Sequence, residues 1–137
     1  MPITVVGSVA FDTVETPSGR RERCLAGAAT YFSLAASFFS PVRVIAVVGQ
    51  DFTATEEAVF NAHKIDTRGI ERAAGKTFFW QGSYLENLNE AKTLQTDLNV
   101  FAGFEIWSGG TGVQLKKFCA KVRSPRGGMI SRPLRRR

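Results

Sequence analysis

The chain has only two cysteines, Cys24 and Cys119, and one histidine, His63. The cysteines are far apart and follow no CxxC or Cys/His spacing. Neither a zinc site nor a disulfide framework is indicated, and both read as free thiols of a reducing compartment. His63 has no serine or cysteine at a spacing that suggests a catalytic triad. No apolar run reaches the roughly 20 residues of a membrane-spanning helix. The longest, "AGAATYFSLAASFF" at 26–39, is broken by Thr30, Tyr31, Ser33 and Ser37. The start, "MPITVVGSVAFD", lacks the basic residues and long apolar core of a secretory signal, so the expected address is the cytoplasm. The patterns GxGxxG and GxxxxGK[ST] are absent, which removes the dinucleotide fingerprint and the P-loop.

What is present is enough for one domain. At 137 residues and 44% hydrophobic, the chain can bury a core, and at 22% charged it is not disordered by composition. The net charge of +6 is unevenly placed. Residues 1–103 hold nine Lys/Arg against eleven Asp/Glu, a balance of −2, whereas residues 104–137 hold nine against one, a balance of +8. The basic character belongs to the tail. That argues against a nucleic-acid surface on the folded part and leaves non-specific, salt-sensitive binding through the tail as an alternative.

The order of elements reads as α/β. "ITVVGSVAFD" begins as a β-branched run suited to a buried strand of a parallel or mixed sheet. "TVETPSGRRERCLAGA" is polar, with Pro17 and Gly19, and predicts a surface loop or hairpin. In "AATYFSLAASFF" the residues Tyr31, Leu34, Ala35 and Phe38 recur on one face of a helix that Ser40-Pro41 stops. "VRVIAVVG" is a second buried strand. "QDFTATEEAVFNAHKI" reads as a loop and a helix, with Thr55 as cap and Glu56 and Glu57 as a solvated helix start. Strand, helix, strand, helix predicts a sheet covered by helices. Then "GIERA", "KTFFWQGSYL" and "AKTLQTDLN" predict strands, the last two joined by a turn at "ENLNE". Such a β-rich insertion suits a lid or a dimer contact. Further on, "GVQLKKFCAKV" predicts a short amphipathic helix through Leu115, Phe118 and Val122, and the final dozen residues are expected to be disordered.

Three segments carry chemistry. "VVGSVAFD" puts Asp12 just past the carboxyl end of a strand, the ligand side of an open α/β sheet, where a carboxylate accepts hydrogen bonds from polyol hydroxyls or simply caps a loop. "AGAAT" places small residues at a helix start, which suits either free N–H groups facing an oxygen-rich ligand or close packing of helix on sheet. "VIAVVGQDF" ends a second strand in Gly49, followed by Asp51, a turn residue or a site residue.

In this order and spacing the three resemble the ribokinase-like PfkB carbohydrate kinases. "VVGSVAFDTVE" looks like the opening strand with its sugar-contacting Asp. "AGAATYFSLAAS" looks like the Gly-Gly helix start, and "VRVIAVVGQDF" like the second strand with its Gly-x-Asp ending. "KTFFWQGSYLENLNEAKTLQTDLNVF" resembles the lid strands. The resemblance covers about residues 3–102, with lid strands at about 68–101. It implies a partial central α/β sheet with a β lid often used for dimerisation. It also implies ATP- and magnesium-dependent phosphoryl transfer to a sugar or nucleoside hydroxyl. By position, Asp12 would bind substrate hydroxyls, and Gly27 with Ala26 and Ala28 would let the backbone approach the sugar. Asp51 would support the fold, and Phe79 and Trp80 would pack on substrate or inside the lid.

The sequence also departs from that pattern. Ala26 replaces the first glycine of the pair, adding a methyl where close approach matters. Tyr31 stands where many members carry Asn, which implies a different or more apolar substrate. The Gly-Ala-Gly-Asp motif that holds the catalytic base, and the ATP-site half around it, have no counterpart in the sequence. The resemblance stops past Ala102, where the charge changes sign. The expectation is a substrate-binding and lid portion, inactive alone, over residues 1–102. Residues 103–137 then form a basic tail of the kind a shifted reading frame or recombined gene produces. The competing expectation is a non-enzymatic ligand-binding or dimerisation module.

Overall fold

The computed structural model describes residues 1–86, 88–104, 106–109 and 112–115. The chain divides into two compact units, residues 1–104 and 105–137. In the first, β1 (Ile3–Val6), β4 (Val42–Val48) and β5 (Asp66–Arg72) form a parallel sheet in the order β1-β4-β5. Helices α1 (Ala28–Ala36) and α2 (Ala54–Ala62) make the crossovers. A second sheet, in the order β3-β2-β6-β7, is built from β2 (Ala10–Thr16), β3 (Gly19–Ala26), β6 (Phe78–Tyr84) and β7 (Ala91–Asp97). A 3-10 helix, Asn99–Gly103, follows β7. The described part of the second unit is an antiparallel pair, β8 (Ile106–Gly109) with β9 (Gly112–Leu115). The fold is mixed α/β, as the element order predicts.

The sequence-based expectations need five corrections. "ITVVGSVAFD" is not one strand. It breaks at Gly7-Ser8-Val9 and feeds both sheets, because Ser8 turns aside to bind the start of α1. The lid sheet is therefore wider than residues 68–101: its first two strands are the hairpin β2–β3. Conversely, "GIERA" lies in β5 of the parallel sheet, paired with β4. The cap of α2 is Thr53, not Thr55. Thr53 Oγ1 accepts from Thr55 N, while Glu56 Oε2 accepts from Thr53 N at 2.7 Å, a complete capping box. The start of the expected tail helix, residues 112–115, is strand β9, and the rest of that segment and the terminal dozen residues lie outside the described residues.

The fifth correction concerns α1. Its buried residues are Ala29, Thr30, Ser33 and Ala36, not Tyr31, Leu34, Ala35 and Phe38. The helix lies close on the sheet, and a Cβ on Gly7 of the β1 loop would sit 3.5 Å from Ala29 Cβ. Only small side chains fit at that separation. The aromatic residues are left on the outer side, with Tyr31 60%, Phe38 75% and Phe39 89% exposed. The core itself comes from Val5, Val9, Phe11, Val44, Val48, Phe52 and Phe60, with Phe79 packed against it. Burying each phenylalanine contributes about 1.5–3 kcal/mol. His63 is the C-cap of α2 and meets the Phe38 ring edge-on at 5.5 Å.

Candidate functional site

The parallel strands all present their carboxyl ends to one side of the sheet, and the segments singled out in the sequence gather there. After β1, Ser8 reaches the start of α1. Its Oγ accepts from Ala28 N at 3.1 Å and its carbonyl from Ala29 N at 3.0 Å. Gly27 is the N-cap, at φ 99° and ψ 150°, and offers no side chain of its own. Ser8 thus caps the helix from another segment. The first two N–H groups of α1 are engaged by protein and do not face a ligand. The small residues of "AGAAT" serve a close approach between backbones: Ala26 is fully buried, Gly27 lies against Ser8, and Ala28 is exposed.

Asp12 lies on β2 opposite Cys24 of β3 and Trp80 of β6, which puts the three side chains on one face of the lid sheet. Among the described residues no donor reaches the Asp12 carboxylate, and its partial burial pushes its pKa above the ordinary value. Tyr31, on the first turn of α1, is within reach of the Asp12 charge. Partial burial, then the charges of Asp12, Cys24 and Tyr84, raise the Tyr31 phenol above its ordinary value. An unpaired carboxylate and a phenol, backed by a thiol and a second phenol, make a cluster suited to hydroxyl groups of a ligand.

The two lid aromatics separate. Phe79 points to the opposite face, against the core. Trp80 stays on the Asp12 face, where its Nε1 donates to Thr93 Oγ1 at 3.3 Å. Gly82, two residues on, has no Cβ, and one there would collide with the outer end of the indole. Sequence reasoning missed Gly82, Ser8, Cys24 and Tyr84. The first three are legible only through register and contact. Tyr84 was within reach of the alternation Trp80, Gly82, Tyr84 along one strand.

Asp51 is structural in its geometry. Its Oδ1 accepts from Thr77 N at 2.8 Å and from Thr77 Oγ1 at 2.7 Å, and Arg23 reaches its Oδ2 at 3.4 Å. Burial acts to raise the Asp51 carboxyl, but the Thr77 hydrogen bonds and the Arg23 charge outweigh it and hold it below its ordinary value. Arg23 also stacks on the Phe11 ring at 4.0 Å. These contacts tie the end of β4 to both halves of the lid sheet.

The raised pKa of Asp12 has a stability consequence. The folded state holds the proton more tightly than the unfolded state, so the charged carboxylate opposes folding at neutral pH, and the penalty fades as pH falls through the folded pKa. Asp12→Asn is therefore expected to raise the melting temperature at pH 7, with the gain vanishing at about pH 3, where the unfolded carboxylate also protonates. Thermal melts of both chains across that range check it. A loss of stability at pH 7 would show that the carboxylate has a partner.

No family model matches the sequence, and no curated protein matches it. Solved structures do match. A nucleoside kinase of Burkholderia thailandensis in complex with inosine has a TM-score of 0.62 at 14% identity, over 72% of this chain and 35% of that one. The fructokinase of Halothermothrix orenii has a TM-score of 0.56 at 19% identity, over 70% and 38%. The ribokinase of Cryptococcus neoformans in complex with ADP has a TM-score of 0.56 at 14% identity, over 72% and 34%. The chain thus spans about a third of the length of these kinases. No described helix is long and apolar enough to cross a membrane. What the matches establish is that this chain has the ribokinase-like fold of sugar and nucleoside kinases, over part of their length.

Proposed function

We propose that residues 1–102 are the substrate-binding and lid portion of a kinase of this fold, and that they bind a sugar or nucleoside without transferring phosphate by themselves. On this reading residues 103–137 are a basic stretch outside that portion. The observation that carries the reading is the unpartnered, half-buried Asp12 on β2 of the lid sheet, whose charge reaches Tyr31 of α1. Among the described residues no group of three or more His, Cys, Asp or Glu is placed to hold a metal ion, and the first two α1 amides, of Ala28 and Ala29, are taken by Ser8. ATP and magnesium are implied by the resemblance alone, no residue of this chain is assigned to them, and the proposed role is substrate binding. The lid sheet leaves most of β3 and nearly all of β7 exposed, which suits them to a homodimer contact.

The test is a phosphotransfer assay on the purified chain with ATP and a panel of sugars and nucleosides, with thermal shift measured alongside. The expected result is no turnover and a substrate-induced rise in melting temperature that Asp12→Asn removes. Sugar-dependent ATP turnover would overturn the inactivity. A panel without any shift would overturn the binding role.

A further inference from the structure

Resting on that substrate-site reading, we infer that the site takes a nucleoside: Trp80, laid flat over Gly82, is a stacking platform for a planar base, next to the carboxylate that holds the ribose hydroxyls. Two directions fix the plane of the indole. Its outer end fills the space of a Cβ at Gly82, so its long axis runs along β6. Its Nε1 edge reaches sideways to Thr93 on β7 at 3.3 Å. Both directions lie in the sheet, so the ring lies flat on it. One face covers Gly82 and the other is turned away from the sheet. The donor of the indole is already engaged, so the outer face offers stacking and no hydrogen bond.

The offset between the two groups selects the ligand. Asp12 is the register partner of Trp80, while the outer ring lies at Gly82, about 6–7 Å further along the strand. A ribose at Asp12, joined through its anomeric carbon to a planar base, spans that distance. A lone furanose at the carboxylate does not reach the ring. Gly82 is thus a specificity-determining residue without a side chain. A methyl there meets only the far end of a flexible side chain, so it displaces the ring without disturbing the backbone.

Calorimetric titration of the full chain with adenosine, D-ribose and D-fructose tests the inference, using Trp80→Leu, Gly82→Ala and Asp12→Asn, each checked for fold by circular dichroism. Adenosine is expected to bind at least about tenfold more tightly than ribose, and Trp80→Leu and Gly82→Ala each to lower adenosine affinity about tenfold while changing ribose affinity less than about threefold. Asp12→Asn is expected to weaken all binding. Should Trp80→Leu fail to fold, Gly82→Ala decides. Binding of adenosine no tighter than that of ribose or fructose, or indifferent to Gly82→Ala, overturns the platform. If Asp12→Asn still weakens that binding, the substrate-site reading stands. Binding indifferent to Asp12→Asn, or none at all, overturns both.

Discussion

Replacing Gly27 with alanine is expected to cost about 3–5 kcal/mol of folding stability, enough to unfold a marginal domain. Two effects add. At φ 99° and ψ 150° the backbone of Gly27 occupies a region that a residue with a Cβ enters only under strain. The new methyl would also collide with the Ser8 carbonyl and approach Ala10 N to 3.0 Å. Both neighbours are backbone, so no rotamer change relieves the clash. Moving Ser8 would also break its bonds to Ala28 N and Ala29 N and uncap α1, itself worth about 1 kcal/mol. Urea unfolding followed by circular dichroism checks this. A loss below about 1 kcal/mol would mean that the β1 loop relaxes freely, and that Gly27 is not held by its contact with Ser8.

Asp51→Ala is expected to cost about 2–4 kcal/mol, because it removes charge-assisted bonds and leaves a buried donor unsatisfied. Thr77 is 1% exposed, and both its N–H and its hydroxyl donate to Asp51. Without that carboxylate the Thr77 hydroxyl retains only its bond from Gly49 N, at 2.9 Å. Arg23 loses its ion pair but keeps its bond to the Asp51 carbonyl at 3.1 Å, and that exposed pair by itself is worth under about 1 kcal/mol. The sign of the pH dependence is opposite to that of Asp12. The Asp51 carboxyl is held below its unfolded value, so its contribution is complete above that value and is lost as pH falls through the lower folded one. The difference between the wild-type chain and Asp51→Ala should therefore shrink as the solution is acidified below about pH 4. Equal stabilities at pH 7 would show that Asp51 is not a tie between the sheets.

Much of the candidate site was legible because its signals are local. Asp51 follows a run that ends in glycine, and a strand that stops at glycine delivers the next polar residues to the carboxyl end of the sheet; Asp12, expected just past a strand end, lies instead within β2, an interior strand of the second sheet. Tyr31 follows a helix start that small residues announce. The role of "AGAAT" was not legible, since small residues suit a ligand and a close neighbour equally well. Ser8, 20 residues before Ala28, chose the neighbour by supplying the hydrogen bonds. The outward face of α1 was misjudged for a similar reason. Hydrophobic period assigns the core to the largest side chains, whereas a helix pressed closely on a sheet buries its smallest ones.

The sequence by itself determined most element types of residues 1–104: β-branched runs ended by glycine became strands, and the stretch with Glu56 and Glu57 at its start became α2. It also determined the uneven charge, which follows from composition alone. Tertiary structure decided which sheet each strand joins. Residues 3–6 and 10–16 are separated by only three residues in sequence, yet they pair with β4 and with β3 and β6 respectively. Strand pairing depends on partners that are distant in the chain, and no local pattern records them. The flat indole of Trp80 belongs to the same class. Its orientation depends on the absence of a side chain at Gly82 and on a hydroxyl at Thr93 of the next strand, and these meet only once the register of β6 and β7 is set.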